Sequence, residues 1–353
     1  MKVQSLYVHV PFCARKCSYC AFYSEASSGE LMDRYVTALV REMELVSADL
    51  GPRTIFFGGG TPSILNLRQW QTILGAMEKF HLTGAEEWTV ECNPATVSLD
   101  KAKLLRDFGV NRISMGVQSL DEELLDRLGR VHSREQVFKS FDILRAAGFE
   151  NLNVDLMFAI PGQTMEVWSE TLREALALQS EHLSTYEVIY EDDTPLFHQL
   201  QAGEICVNED LACDMYEELV AQVTKAGLQQ YEIANFARAG ERPAENLIPQ
   251  FACRHNVNYW RGGSFYGLGP GATGYVRGGR AKNWANTQLY CEQLEKGMRA
   301  IESVEELPPL RRAGETAAFG LRMNAGWPFE EFRRVTEFDL RKEWNSEMEE
   351  LVQ

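Results

Sequence analysis

Long uninterrupted apolar runs are missing from this chain. Nothing in it approaches the roughly 18 residues needed to cross a bilayer, so no membrane span is expected. Positive charge is also scarce: 35 lysines and arginines face 51 aspartates and glutamates, for a net charge of −16. A nucleic-acid partner needs a basic footprint, and no Lys/Arg run supplies one. No export signal is read in the opening MKVQSLYVHVPFCARKC, whose apolar stretch is short and meets Arg15 and Lys16 at once. The eight cysteines therefore read as reduced thiols of a cytoplasmic protein rather than a disulfide framework. The glycine triplet at 58–60 is not followed by Lys-Ser/Thr, which argues against a P-loop.

What is present is concentrated in one place. Cys13, Cys17 and Cys20 form a C-x3-C-x2-C pattern within CARKCSYCAF. A closed structural zinc site takes four ligands, and disulfides take cysteines in pairs. Three neighbouring thiols point instead to a metal centre with one position left open. A zinc knuckle completed by His9 is the competing reading, since strand alternation puts Tyr7 and His9 on one face.

Short apolar, β-branched runs alternate with helical patterns along the first half of the chain. Strands are expected at 5–10, 54–57, 87–91, 112–117, 151–158 and 183–189. Helices are expected at 30–50, 66–80, after Ser98, after Ser133 and over 164–179. Ser98 is placed to cap its helix, and Ser133 with Gln136 reads as a capping box. Six β–α repeats imply a parallel sheet with right-handed crossovers, curled into a partial or full barrel. In such folds the reactive residues sit at the C-terminal ends of the strands. The cysteine loop, the glycine triplet, Glu91, Gln118 and Asp155 all fall at or near such ends.

Together, CARKCSYC, GGGTPS, the ECNP of 91–94, GVQSLDEELLDRLGR and DLMFAIPGQT resemble the radical S-adenosylmethionine (SAM) superfamily. Within it the chain resembles the group around oxygen-independent coproporphyrinogen III oxidase, over nearly its whole length. The resemblance implies a partial (βα)6 TIM-like barrel with a small, mostly helical C-terminal domain. It implies a 4Fe–4S cluster on Cys13, Cys17 and Cys20, whose fourth iron takes the amino and carboxylate groups of SAM. One electron from the cluster would then break the sulfonium C–S bond and release a 5′-deoxyadenosyl radical. Position by position, Gly58 and Gly59 match glycines along the methionine amino group. Glu91 and Asp155 match acceptors for the amino and ribose hydroxyl groups. Gln118 and Arg130 match further SAM contacts, Tyr19 an aromatic at the adenine, and Tyr7 a tyrosine near the cluster.

Two features separate branches of this group. The oxidase branch carries a further cysteine two residues after the third, where this chain has Phe22. HNVNYW at 255–260 matches a motif of the heme-chaperone branch, the HemW type, that is tied to heme. The resemblance thus implies a chaperone that binds cluster, SAM and heme and passes heme to an acceptor such as a respiratory membrane protein. The alternative is SAM-dependent oxidative decarboxylation of coproporphyrinogen III in porphyrin biosynthesis. His255 is a candidate axial ligand to heme, with Tyr259 and Trp260 flanking the porphyrin; the competing reading is a His-Asn pair that satisfies backbone groups in a loop. The other five cysteines read as inert small hydrophobes. The expected division is 1–230 for the barrel, 231–300 for an extension carrying HNVNYW, and 301–353 for a C-terminal helical domain. The group usually continues past this point, so the last domain is expected to be truncated.

Overall fold

In the core strands, odd and even positions carry different chemistry, and the pleat sorts them onto two faces. Leu6, Val8 and Val10, Ile55 and Phe57, Trp88 and Val90, Ile113 and Met115, and Val154 and Leu156 all enter one apolar core. Their neighbours Tyr7, Phe56, Glu91, Ser114 and Asp155 face the opposite way and line an interior cavity. Fully buried parallel strands usually read as continuous apolar runs. Here the second face is polar because it encloses a working lumen.

The computed structural model describes residues 2–26, 28–240 and 247–352. Its strands are β1 (Val3–Val10), β2 (Phe12–Cys13), β3 (Glu25–Ala26), β4 (Leu50–Gly59), β5 (Glu87–Cys92), β6 (Arg112–Gln118) and β7 (Leu152–Phe158). They continue with β8 (His182–Glu187), β9 (Leu228–Glu232), β10 (Asn235–Arg238), β11 (Tyr266–Leu268), β12 (Thr273–Val276), β13 (Gly279–Asn283) and β14 (Ile301–Glu306). The main sheet has the order β11-β1-β4-β5-β6-β7-β8-β10-β9. The run β1-β4-β5-β6-β7-β8 is parallel throughout, as the six β–α repeats imply. Among the described residues the edge strands β11 and β9 do not pair, so the barrel is partial.

The helices dock on the apolar face. Trp70, Trp88 and Trp168 are fully buried there, with Phe57 between the first two at ring separations of 5.3 and 6.3 Å. Truncating one such tryptophan would cost about 3–5 kcal/mol. The expected caps form: Ser98 accepts from Lys101 N, and Ser133 with Gln136 makes a reciprocal capping box. A second box, Asn66 with Gln69, starts the helix Leu67–Lys79.

The expected division of the chain meets a different geometry. The cut after 230 falls inside β9, and the segment that follows supplies strands to both edges of the main sheet. The cut after 300 separates β14 from β13, to which it is paired. Beyond β14 the chain is helical, with Ala313, Trp327 and Phe332 in a small core of their own. This part ties back to the barrel edge, where Asn324 N donates to Tyr231 O at 3.0 Å.

Candidate functional site

The cysteine loop is held from both sides by backbone bonds. Ser18 N donates to Leu128 O at 2.9 Å, and Ser18 O accepts from Leu196 N at 3.0 Å. Cys13, Cys17 and Cys20 stay partly exposed and line a cavity of about 470 Å³ over the C-terminal strand ends. Thr61 Oγ1 lies 3.5 Å from Cys13 Sγ, and Arg130 Nη1 lies 3.5 Å from Cys17 Sγ. Both are donors aimed at sulfur, an arrangement that suits thiolates.

The donor set can be tested against the group it is expected to hold. Among the described residues no three His, Cys, Asp or Glu side chains converge on a single metal ion. A four-iron cluster places each thiolate on its own iron, so spaced thiols suit it. The zinc alternative loses its fourth ligand as well. His9 Nδ1 pairs with the Tyr7 hydroxyl at 3.0 Å and Nε2 with the Tyr23 carbonyl at 2.8 Å.

Two half-buried carboxyls line the same cavity as the cysteines. Glu91 Oε2 accepts from Gly59 N at 3.2 Å. Burial, and then the nearby Asp155, push the Glu91 carboxyl up to about 8, against the opposing pull of the Gly59 N–H and Arg112. Burial also raises Asp155, although Ser114, Asn153, Ser184 and Arg112 all favour its ionised form. Ser114 Oγ and Asn153 Nδ2 donate to Asp155 at 3.0 and 2.8 Å, which fixes the carboxylate in place. A cation or hydroxyl donors arriving at these two carboxyls would favour their ionised forms. Gly59 sits at φ +102°, and a Cβ there would lie 2.4 Å from the His9 ring. Only glycine allows the strand end to pass.

A second chamber of about 240 Å³ continues the cavity into the barrel. Tyr7, Arg112, Asn153, Ser184, Asn235 and Asn256 line it. Its floor is the helix Arg254–Trp260, so HNVNYW is helical and not a loop. This helix enters the barrel from the N-terminal strand ends. Glu87, the first residue of β5, accepts Arg254 N and His255 N at 2.9 Å each. His255 is 1 % exposed; its Nδ1 pairs with Thr54 Oγ1 at 3.0 Å and its Nε2 with the Tyr259 hydroxyl at 2.7 Å. Its ring stacks on Phe56 with centroids 5.3 Å apart. In this fold neither ring nitrogen is presented to an iron.

Nine of the residues singled out from sequence line the main cavity: Cys13, Cys17, Tyr19, Cys20, Gly59, Glu91, Gln118, Arg130 and Asp155. Tyr7 lines the inner chamber. Gly58 packs against Glu91, where a Cβ would come within 2.9 Å of Oε2. His255 lies within the floor helix and lines neither chamber. Gln118 holds φ +69° at the end of β6, a strained conformation of the kind that collects at functional sites. Thr61, Arg112, Ser114, Asn153, Ser184 and Asn256 were not anticipated. Period-2 reading offered a signal for three of them, because Arg112 and Ser114 precede Gln118, and Asn153 precedes Asp155, on one strand face. Ser184 carries the same signal only once β8 is known to border the lumen. Cys206 and Cys213 are exposed rather than buried.

The radical SAM superfamily model matches residues 7–175 of this chain. A heme chaperone HemW from Lactococcus lactis is 36% identical over 99% of this chain and 90% of its own length. One from Bacillus subtilis is 35% identical over 92% and 84%. The chain belongs to the heme-chaperone branch of the radical SAM superfamily. A solved structure of coproporphyrinogen III oxidase from Escherichia coli covers 99% of this chain and 82% of its own with a TM-score of 0.83, at 22% identity. That likeness shows that the branch shares its fold with the oxidase. The cofactors of the superfamily are a 4Fe–4S cluster and SAM, and the residues of the main cavity fit both.

Proposed function

We propose that this chain is a cytoplasmic carrier of heme that binds a 4Fe–4S cluster and SAM and delivers heme to an acceptor protein. The observation that carries this reading is the likeness to heme chaperones over nearly the whole chain, at 36% identity. Phe22 supports it, because that position is 69% exposed at the cavity and holds no fourth thiol.

In this reading Cys13, Cys17 and Cys20 hold the cluster. When bound, cluster and SAM supply reductive cleavage of a sulfonium bond. Glu91 accepts the SAM ammonium and shifts from its neutral to its ionised form as it does so. Asp155, held by Ser114 and Asn153, accepts from ribose hydroxyls. Arg130 binds the SAM carboxylate; its Nε is buried and without a partner among the described residues. Tyr19 borders the same cavity and packs beside the adenine.

The second reading, oxidative decarboxylation of coproporphyrinogen III, is favoured by the completeness of the SAM set, for which passive transport has no evident need. One anaerobic experiment separates the two. Reconstituted protein is given SAM, reductant and coproporphyrinogen III, and separately heme followed by an apo-cytochrome in membrane vesicles. Heme reaching the cytochrome without protoporphyrinogen IX formation supports the carrier. Multiple turnovers to protoporphyrinogen IX would replace it with the oxidase.

A further inference from the structure

The proposed cargo needs a place on the molecule, and the interior beyond the cavity assigned above to cluster and SAM does not offer one. A cavity that encloses a drug-sized ligand spans roughly 300–1,000 Å³. The inner chamber, at about 240 Å³, is smaller and walled by Arg112, Asn153, Ser184 and Asn256. A large apolar macrocycle would leave these polar groups without partners. His255 lies below that chamber with both ring nitrogens engaged.

The mouth of the main cavity has the opposite character. Phe22, Ile189, Val131 and Tyr186 line it while remaining 69, 66, 45 and 43% exposed. Exposed large apolar side chains scattered singly are ordinary, but four around one opening are not. Arg15 and Lys16 line the same opening, are exposed, and make no ion pair with a carboxylate among the described residues. In a chain of net charge −16, an unpaired cationic pair beside an apolar rim is a local inversion of the surface. Glu187 and Glu191 border the mouth on the segment that carries Ile189, so the charge there is polarised.

Resting on the heme-carrier reading above, we propose that heme docks flat across this mouth. Its macrocycle lies on Phe22, Val131, Tyr186 and Ile189, and its two propionates point to Arg15 and Lys16. The charge match sets the orientation: an apolar disc with two carboxylates along one edge meets an apolar rim with two cations along one side. An open mouth also suits a cargo that must leave, since the outward face of the disc stays available to an acceptor. In this position heme covers the entrance to the cysteine cavity, so cargo and cluster share one opening.

The test is a heme titration of the full chain carrying its reconstituted cluster, followed by quenching of tryptophan emission and by the heme absorption band. Ile189→Ser and Phe22→Ser change exposed positions; iron and sulfide contents check that the cluster is intact. Each is expected to weaken heme affinity about tenfold. An Arg15→Glu/Lys16→Glu double variant is expected to weaken heme by more than tenfold. It should leave the affinity for heme dimethyl ester, whose propionates are blocked, within twofold. Rim variants that bind heme as the parent does would overturn the docking site while sparing the carrier reading. A parent protein that binds no heme would overturn both.

Discussion

Glu87 Oε2 and Oε1 accept the backbone N–H groups of Arg254 and His255, each at 2.9 Å. A carboxylate from the first residue of β5 thus caps a helix 167 residues further along the chain. This one relationship places HNVNYW inside the barrel. It gives the motif a physical task that needs no heme: closing the N-terminal end of the lumen and presenting Asn256 to the inner chamber.

Removing that cap should be felt in stability. Glu87→Ala strips the acceptor from two N–H groups, that of His255 buried and that of Arg254 partly so, and leaves Arg112 with less compensating charge. A loss of about 2–3 kcal/mol is expected from unsatisfied donors and the lost cap. Urea denaturation of the apo protein measures it. A change below 0.5 kcal/mol would mean that the floor helix is held by packing alone.

His255→Ala is expected to act the same way. The substitution empties a site stacked on Phe56, orphans the Tyr259 hydroxyl and leaves the Thr54 hydroxyl with Ser5 alone, at a cost of about 2–3 kcal/mol. Heme affinity of the folded variant should stay within twofold of the parent. Loss of heme with unchanged stability would restore His255 as an iron ligand.

Replacing any one of Cys13, Cys17 or Cys20 by alanine should abolish the intact cluster, since two thiolates remain for three irons. Iron and sulfide analysis after anaerobic reconstitution reads this directly. Full stoichiometry in any of the three variants would refute the ligand set.

Glu91 carries a pH dependence whose sign can be worked out. Its carboxyl stands at about 8 in the fold against 4.5 in an unfolded chain. The stability associated with this group is therefore full below pH 4.5 and is lost as pH rises toward 8. Glu91→Gln should make the apo protein more stable than the parent at pH 8 and no more stable at pH 4. SAM binding runs the other way. Between pH 6 and 8 the parent must release a proton from Glu91 to accept an ammonium, so its affinity should rise with pH by up to tenfold per unit. Glu91→Gln should bind SAM more weakly at pH 8 and with a flatter profile. Calorimetry in buffers of different ionisation enthalpy counts the proton; equal profiles would remove Glu91 from the amino-group site.

Much of this protein was legible in one dimension. The three cysteines, the glycine triplet and the polar strand ends lie within stretches of a few residues, where spacing alone encodes the chemistry. The six β–α repeats follow from period and caps, both local properties of the backbone. HNVNYW was not legible in that way. Its seven-residue helix contains four polar residues and two aromatics, and it is helical because Glu87 caps it and the lumen receives it. The same holds for the division of the chain. The segment after residue 230 reads as an appendage, yet it adds the end of β9 and all of β10 to one edge of the sheet and β11 to the other. Which edge a strand joins depends on unpaired N–H and C=O groups far away in sequence, as does the closeness of Gly269, whose Cβ would lie 2.3 Å from His9 O. Local spacing set the three-thiol pattern and the barrel. Long-range packing set the floor of the lumen, the burial of His255, and the apolar, cationic mouth through which any cargo would be held.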